Sequence, residues 1–322
     1  MKTTVALLFL LCIHYMSSAQ QTQSILLLNL TFDNEPNPML FDSAGPGGNY
    51  GTNDWIVNDS FTGRPVYPNT PNEDSTVNGL VINNAPFSNY LHIHDVTAAN
   101  GIENDNWNTG NASDRFCYMA SPFCTLGLDS VQITFDWLCQ GDSNAYGQVY
   151  YSTGNGQWVQ IGRPKYYNQK DWLYESITDT GLNNQANIQL GFRWVNTGAD
   201  STTDEAFGID DLFAVGTYNP ADTNTAVSIS TNVYADSGGV CQGGDIYILF
   251  DLSSPLCDGN YELELSDADG TFDSPYNLGI LQGYPTVPLG YYGPIALPPA
   301  LIGDCFKVRI VRTGPAPALI SE

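Results

Sequence analysis

The strongest constraint in the sequence is a two-residue alternation of apolar and polar side chains. It is clearest in residues 131–137 (VQITFDW), and it returns in 147–152, 188–195 and 245–252. Successive side chains of a β-strand point to opposite faces, so this pattern is typical of strands with one buried face. No segment repeats apolar residues every three to four positions over the length of a helix. The sequence therefore predicts an all-β protein.

The chain carries 34 Asp and Glu residues against 10 Lys and Arg residues, a formal net charge of −24. A surface this acidic repels phosphate groups, which excludes nucleic acid and anionic membranes as partners. Asn, Ser, Thr, Gly and Tyr supply much of the remaining polar character. Such a composition favours short strands joined by turns.

The N-terminus is typical of a secretory signal peptide. Lys2 precedes an apolar run at 5–13, and small residues follow at 17–19. We assign residues 1–19 to this signal. No later segment has the ~18 consecutive apolar residues of a membrane span. The sequence therefore predicts a secreted or cell-surface protein without membrane insertion.

Six cysteines follow the predicted signal, and an even number in an exported protein indicates disulfides. Three fall in each half of the remaining chain. Either each half keeps one leftover cysteine, or one bridge joins the halves, and the spacing leaves both open. The six are Cys117, Cys124, Cys139, Cys241, Cys257 and Cys305.

A polar segment near 216–225 divides the chain. We predict a first domain at 20–216, a linker at 217–226 and a second domain at 227–322. The second domain has about ninety residues with strands separated by turns, which fits an immunoglobulin-like sandwich. The alternating Pro and Ala residues at 315–318 resemble the start of another linker, so we expect further domains after this chain.

Four segments of the first domain carry a resemblance to a known family: FDWLC at 135–139, YGQVYYSTGNGQW at 146–158, FRW at 192–194 and FGIDDL at 207–212. Their order resembles the jelly-roll module of Reelin repeats and MAM-like domains. It is especially similar to N-terminal modules of large secreted adhesin-type surface proteins in gliding, type IX-secreting bacteria. The second half is similar to immunoglobulin-like repeats of the same proteins, through 241–244 and 265–272. The resemblance implies a jelly-roll sandwich followed by an immunoglobulin-like β-sandwich.

The family's Asp box, Ser-x-Asp-x-Gly-x-Thr-Trp, is degenerate here. The segment 152–158 is one residue shorter and lacks the Asp. Glycines in this segment still permit a tight hairpin, and we expect Trp158 to pack beneath it.

A calcium site is predicted where the two ends of the first domain meet. In a jelly roll the first and last strands lie close together, so Asp33 and Glu35 could converge with Asp210, with Asp211 as the alternate. Carboxylates at close range repel unless they are neutralised, and Ca²⁺ takes six to eight oxygen ligands. The resemblance implies such a structural ion. The alternative is that these residues are solvated strand ends.

Other chemistry has weaker support. His92 and His94 would share one face of a strand, but Asp95 would point away, so a metal there needs further ligands. The sequence has no Gly-x-Ser-x-Gly elbow and no His-Glu-x-x-His segment. We therefore predict a protein that is not an enzyme.

Aromatic residues divide into two groups. Trp137, Trp158 and Trp194 fall in strand patterns and are predicted to be core. Trp107 and Trp172 lie in turn-rich segments and are the candidates for stacking on a sugar ring. The competing interpretation, which we favour, is that such rings pin long loops to the sandwich.

Together these features predict a non-catalytic, secreted or cell-surface adhesin-type protein. It would bind a glycan or a surface protein and hold a structural Ca²⁺. The alternatives are a carbohydrate-binding accessory part of a larger secreted hydrolase, or a structural spacer module.

Overall fold

The structure is a computed structural model, and it describes most of the chain after the predicted signal. The described residues are 22–33, 37–41, 45–58, 76–77, 80–81, 88–97, 107–198, 206–219, 229–235, 244–254, 256–257, 259–284, 289–299, 301, 306–314 and 319–321.

Thirteen strands lie in the first part of the described chain, and the alternating segments 131–137, 147–152 and 188–195 fall on three of them. The thirteen strands are β1 (Gln23–Leu30), β2 (Met39–Phe41), β3 (Asn53–Asn58), β4 (Thr76–Val77), β5 (Leu80–Val81), β6 (Tyr90–Asp95), β7 (Ser113–Met119), β8 (Ser130–Cys139), β9 (Ala145–Ser152), β10 (Val159–Tyr166), β11 (Gln169–Thr178), β12 (Gln189–Asn196) and β13 (Gly208–Tyr218). A 3-10 turn, Thr180–Leu182, precedes β12.

Strands β6 to β13 form a jelly roll. One four-stranded sheet has the order β11-β8-β13-β6 and the other has the order β10-β9-β12-β7. All the pairings are antiparallel. Eight strands divided between two sheets in this way are the jelly-roll arrangement, which confirms the predicted fold class.

Three further strands extend the two sheets. β2 adds to β7 and β3 adds to β6, whereas β1 pairs with β13, with Leu30 opposite Leu212. We call β11-β8-β13-β6-β3 with β1 the back sheet, and β10-β9-β12-β7-β2 the front sheet. The first and last strands of this sandwich are therefore neighbours, as the jelly-roll resemblance implied.

The core of the first sandwich lies between the two sheets, and it is rich in aromatic rings. Alternate residues of β8 and β12 point into it, including Phe135 and Trp137 from β8 and Phe192 and Trp194 from β12. Phe207 lies at its centre, within 6.5 Å, centroid to centroid, of four other rings. This burial follows directly from the two-residue period.

Seven strands form a second, smaller sandwich. They are β14 (Ile229–Ala235), β15 (Asp245–Leu252), β16 (Gly259–Leu265), β17 (Tyr276–Tyr284), β18 (Leu289–Ala296), β19 (Val308–Gly314) and β20 (Leu319–Ile320). The sheets have the orders β14-β15-β18 and β17-β16-β19-β20. Three strands facing four, all antiparallel, agree with the predicted immunoglobulin-like sandwich.

A disulfide between Cys124 and Cys257 joins the two sandwiches across a sequence separation of 133 residues. Of the two arrangements that the cysteine count allowed, the structure has the bridge between halves. Cys117 and Cys139 are buried in the first sandwich and are not disulfide-bonded. Cys241 and Cys305 lie outside the described residues.

The peptide connection between the sandwiches falls between β13 and β14. The first two residues of the predicted linker 217–226 belong to β13, and residues 220–228 lie outside the described part of the chain. The predicted signal at 1–19 and the Pro-Ala segment at 315–318 also lie outside it. Within the described residues, no helix has the length and apolarity needed to span a membrane.

Candidate functional site

The outer face of the front sheet carries a cluster of aromatic side chains. On β7, Cys117 and Met119 point into the core, so Phe116 and Tyr118 point outward. On β9, Val149 is core, and Tyr150 therefore points outward as well. We call this outer surface the aromatic face.

The strand register arranges these residues in a row across all five strands. From β2 to β10, the directly opposed residues are Leu40, Tyr118, Gly191, Tyr150 and Gln160. Opposed residues of neighbouring strands share a face of the sheet. The row therefore runs from an exposed leucine, through two tyrosines, to an exposed amide.

Trp158 completes the cluster from the turn between β9 and β10. Its ring centroid lies 4.8 Å from that of Phe116 and 5.5 Å from that of Tyr118. Phe116 also meets Tyr150 edge-on, at 5.9 Å. Trp158 and Tyr118 are half-buried, whereas Phe116 is buried beneath them. The sequence prediction that Trp158 is core is therefore wrong, because its ring rests on the outside of the sheet.

The hairpin that holds Trp158 is closed by an asparagine side chain. The side-chain oxygen of Asn155 accepts a hydrogen bond from the backbone N–H of Gln157 at 2.9 Å. Gly154 and Gly156 have φ angles of 82° and 74°, a region that favours glycine. The turn is thus tied to itself by Asn155, which was not predicted from the sequence, and it sets Trp158 at the edge of the aromatic face.

Gly191 creates the space in which these rings pack. A Cβ atom at this position would lie 2.3 Å from Phe116 Cζ and 2.9 Å from Trp158 Cζ3. Such contacts are far inside van der Waals distance. The glycine in the middle of β12 therefore lets both rings pack closely against the strand.

A polar network continues the face towards the other end of the strands. Arg193 donates two hydrogen bonds to the carboxylate of Asp114, at 2.7 and 2.8 Å, and a third to Gln148 at 3.2 Å. The hydroxyl of Tyr150 also donates to Gln148, at 2.9 Å, and the Gln148 amide donates to Gln160 at 3.1 Å. The bond with Asp114 holds the pKa of Arg193 above its usual value. This network fixes the polar side chains before any ligand arrives.

The loop at 45–50 borders the polar end of the face. The backbone N–H of Gly48 donates to Asp114 at 2.8 Å. A Cβ atom at Gly45 would meet the Phe116 ring at 1.8 Å, and one at Gly47 would meet Asp114 Oδ1 at 2.3 Å. The loop therefore packs its backbone directly on the face, and it leaves Tyr50 exposed beside it.

This arrangement suits a polar ligand with apolar faces. Aromatic rings pack against C–H surfaces, while fixed amides and hydroxyls exchange hydrogen bonds with hydroxyl groups. A sugar ring has both kinds of surface.

The two tryptophans predicted to bind a ligand lie elsewhere. Trp107 is 5% exposed and meets Trp194 edge-on in the first core, with ring centroids 5.2 Å apart. Trp172 is 7% exposed and packs against Tyr90 on the back sheet, at 5.4 Å. Neither ring presents a free face to a ligand, which corrects the expectation of exposed stacking rings. Trp107, in the segment before β7, agrees with the competing interpretation that such rings pin loops to the sandwich, whereas Trp172 belongs to strand β11 itself.

The acidic residues predicted to hold calcium lie on the back sheet and its rim. Asp33 accepts a hydrogen bond from the backbone N–H of Asn89 at 3.0 Å. Asp210 accepts a hydrogen bond at 2.7 Å from the hydroxyl of Ser88, the residue before Asn89. Two consecutive residues thus connect the end of β1 to the start of β13. Asp211 is buried in a bulge of β13, with a φ angle of 48°, and Glu35 lies outside the described residues.

Asp136 joins this region, although the sequence prediction did not include it. It lies directly opposite Asp210 across the β8–β13 ladder, and it is buried. Burial, with a contribution from the charge of Asp211, raises the pKa of Asp136 to about 7. Its Oδ1 atom has no hydrogen-bond partner in the described part of the structure.

The fit of a cation to this region is incomplete. Asp136 supplies one orphaned carboxylate oxygen, whereas both oxygens of Asp210 already accept hydrogen bonds, one from Ser88 and one from the N–H of Asp211. Among the described residues, no three His, Cys, Asp or Glu side chains are placed to share a metal ion. A full ligand set would need oxygens beyond those of the described side chains.

The histidine cluster is part of the buried back sheet. His92 Nε2 lies 2.9 Å from Asn58 Oδ1, and its ring stacks on Tyr90 at 4.5 Å. Burial lowers the pKa of His92 to about 3, so the ring is neutral. Asp95 instead accepts hydrogen bonds from the N–H and hydroxyl of Thr97, as a turn cap. Its carboxylate is thus engaged away from the two rings.

The sequence did contain a signal for the aromatic face. If Phe192 and Trp194 point inward, Arg193 must point outward, and the same alternation places Tyr118 outside Cys117. Which outward residues of separate strands meet, however, depends on strand register. Register is not visible in any single segment.

Comparisons with known proteins give a fold likeness only. No protein-family model matches the sequence, and no curated protein matches it significantly. A tandem of two CBM22 domains from Paenibacillus barcinonensis Xyn10C is 10% identical, with 87% of each chain covered and a TM-score of 0.31. The Endo-D glycoside hydrolase domain from Streptococcus pneumoniae is 11% identical over 74% of this chain, with a TM-score of 0.27.

A β-glucuronidase from Parabacteroides merdae is 11% identical over 65% of this chain, with a TM-score of 0.24. The chain spans 33% of the Endo-D domain and 27% of the glucuronidase. At these TM-scores the likenesses carry no argument about function. The function of this chain is therefore inferred from its own geometry.

Proposed function

We propose that this chain is an exported, non-catalytic protein that binds glycans on the aromatic face of its first sandwich. The observation that carries the proposal is the row Leu40–Tyr118–Gly191–Tyr150–Gln160 with Trp158 above it. Half-buried rings beside a preformed amide network suit the alternating C–H and hydroxyl surfaces of a sugar chain.

A glycan fits these features better than a protein partner does. A stable protein interface typically buries about 800 Å² on each partner around a largely desolvated apolar centre. Here the rings are bordered by polar side chains, Arg193, Gln148 and Gln160, which already bond to one another. Such groups recognise hydroxyls at low cost because they need no reorganisation.

Two further features support export. The disulfide Cys124–Cys257 belongs to an oxidising compartment, since cytosolic thiols are usually kept reduced. The predicted signal peptide at residues 1–19 points the same way. The adhesin-type role and the kinship with Reelin or MAM-like modules remain part of the proposal, with the second sandwich as a spacer or presenter.

A structural Ca²⁺ near Asp33, Asp210 and Asp211 is also proposed. It is supported by the unpartnered oxygen of buried Asp136 and by the crowding of carboxylates around it. Its role would be to neutralise these charges and to hold the ends of β1 and β13 together.

The test of glycan binding is a microarray screen followed by calorimetry with the strongest oligosaccharide. Trp158→Ala should weaken binding about 5-fold or more, because a stacked ring contributes about 1–3 kcal/mol and about 1.4 kcal/mol corresponds to a tenfold change. Tyr276→Ala is the matched control, since Tyr276 is 50% exposed but lies on the second sandwich.

Two results would overturn the proposal. One is a wild-type protein that retains no glycan. The other is a Trp158→Ala variant that is folded and binds as well as the control. Turnover of an oligosaccharide by the purified chain would replace the non-catalytic reading with an enzymatic one.

A further inference from the structure

The charge of the aromatic face is set by one ion pair. Arg193 lies next to the central row, opposite Phe116 on β7 and Gln148 on β9. A sugar carboxylate would bind to this guanidinium, because Arg forms bidentate pairs with carboxylates. In this protein Asp114 already occupies that geometry, at 2.7 and 2.8 Å.

The remaining contacts hold Asp114 in place. The N–H of Gly48 donates to Asp114 Oδ2, and the backbone of Gly47 lies against the pair so closely that a Cβ atom there would be 2.9 Å from Arg193 Nε. The two side chains are mostly buried, at 10% exposure for Asp114 and 22% for Arg193. An incoming carboxylate would have to displace a buried partner and leave it without a counter-charge, which is costly.

Lys165, a further cation at this face, also contacts groups of the protein itself. Lys165 lies 3.9 Å from the centroid of the Tyr146 ring and donates to the backbone oxygen of Ser143 at 2.6 Å. The chain as a whole carries a net charge of −24, which repels anions at long range. Local pairing and overall charge therefore act in the same direction.

We propose that Asp114 is a specificity-determining residue that makes the aromatic face select uncharged glycans and reject acidic ones. This inference rests on the proposed glycan binding at the same face. Asp114 acts by cancelling the charge of Arg193, so removing the carboxylate and keeping its shape should open the face to acidic sugars.

The experiment compares neutral oligosaccharides with uronic-acid counterparts of equal length, by calorimetry at low and moderate NaCl. Wild type should prefer the neutral series by 10-fold or more. Asp114→Asn should reduce that preference at least 10-fold, through tighter binding of the acidic series. The gained binding should weaken as NaCl is raised, since it is electrostatic.

Two variants separate this effect from a change in overall charge. Asp171→Asn changes the net charge equally but lies at an exposed position of β11 on the back sheet, so it should leave the preference unchanged. The double variant Asp114→Asn/Arg193→Gln should lose the gain, because the cation is gone. Circular dichroism checks that each variant is folded. If Asp114→Asn does not fold, Arg193→Gln alone should strengthen the preference for neutral chains.

The outcomes distinguish the two proposals. If wild type binds neutral chains but binds the acidic series equally well, the selectivity of Asp114 is refuted and glycan binding stands. An unchanged preference in folded Asp114→Asn refutes it as well. If wild type binds neither series, the proposed function itself fails, and this inference fails with it.

Discussion

The two sandwiches of this protein are built from the same kind of strand but differ in what fills and covers them. The first is packed around aromatic rings, with Phe207 in contact with Trp55, Trp137, Tyr166 and Phe192. The second core is mainly aliphatic, and its ring contact in the described residues is between Phe250 and Tyr261. Large rigid rings determine the position of neighbouring strands more strictly than aliphatic side chains do.

Their outer surfaces differ in the same way. The first sandwich has a continuous face of rings and amides over five strands. On the second, the exposed apolar residues are spread over the edge strands, with Val233 and Tyr234 on β14 and Tyr276 and Ile280 on β17. Scattered exposed side chains are ordinary for a protein surface. In this protein the ring-rich core and the continuous aromatic face therefore occur in the same sandwich, and the described residues of the second sandwich have neither.

Removal of the disulfide between the sandwiches should give the largest loss of stability. Cys124 lies in a loop tied to the chain before β12, through paired backbone bonds between Phe123 and Ile188. On the other side, Arg312 donates to the carbonyl of Cys257 at 2.9 Å. We expect the double variant Cys124→Ser/Cys257→Ser to lose about 3–5 kcal/mol, as for bridges that close long loops.

Calorimetry should then separate one transition into two, with the second sandwich melting at the lower temperature. The first sandwich should keep its melting temperature because its core is self-sufficient. A single unchanged transition in the double variant would show that packing between the sandwiches, rather than the bridge, couples them.

Matched substitutions in the two cores should give an intermediate loss of free energy of unfolding. Phe207→Leu removes a ring that contacts four others, whereas Phe250→Leu removes one whose ring contact among the described residues is with Tyr261. We expect losses of about 3 kcal/mol and about 1.5 kcal/mol respectively. Denaturant unfolding with a probe in each sandwich measures both, and equal losses would contradict the contrast between the two cores.

The carboxylate cluster of the first sandwich should give the smallest effect, and it depends on pH. The folded pKa of Asp136 is about 7, above its ordinary value of 3.8. The protonated form is therefore favoured in the folded state, and its stabilisation is complete below pH 3.8 and is lost as the pH rises through 7. In chelator, we expect stability to rise by about 1–2 kcal/mol from pH 7.5 to pH 5.

Asp136→Asn keeps the shape of the side chain but replaces the titratable carboxyl with an amide. The variant should therefore show a flatter dependence of stability on pH. If the proposed Ca²⁺ binds here, adding it at pH 7.5 should raise the melting temperature, with little effect at pH 5. The same pH profile in Asp136→Asn would show that other carboxylates are responsible. No shift with Ca²⁺ at either pH would remove the ion from the proposal.

Much of the fold could be predicted because strand patterns are local. The alternation at 131–137 lies within β8, and that at 245–252 coincides with β15. The pairing of β1 with β13, the first and last strands of the first sandwich, followed from the jelly-roll resemblance. Local patterns predicted the candidate site less well, since Trp107 and Trp172 are buried and Trp158, expected in the core, is half-exposed.

By itself, the sequence determined that the chain forms β-strands with one face of each strand inside, since the direction of each side chain follows from its place in the alternation. Only the tertiary structure decided that Tyr118, Gly191 and Tyr150 share a row, that Asp114 pairs with Arg193, and that Cys124 reaches Cys257. These contacts join residues from 41 to 133 positions apart in the numbering. Strand register and the packing of the sheets bring such residues together, and no short segment carries that information.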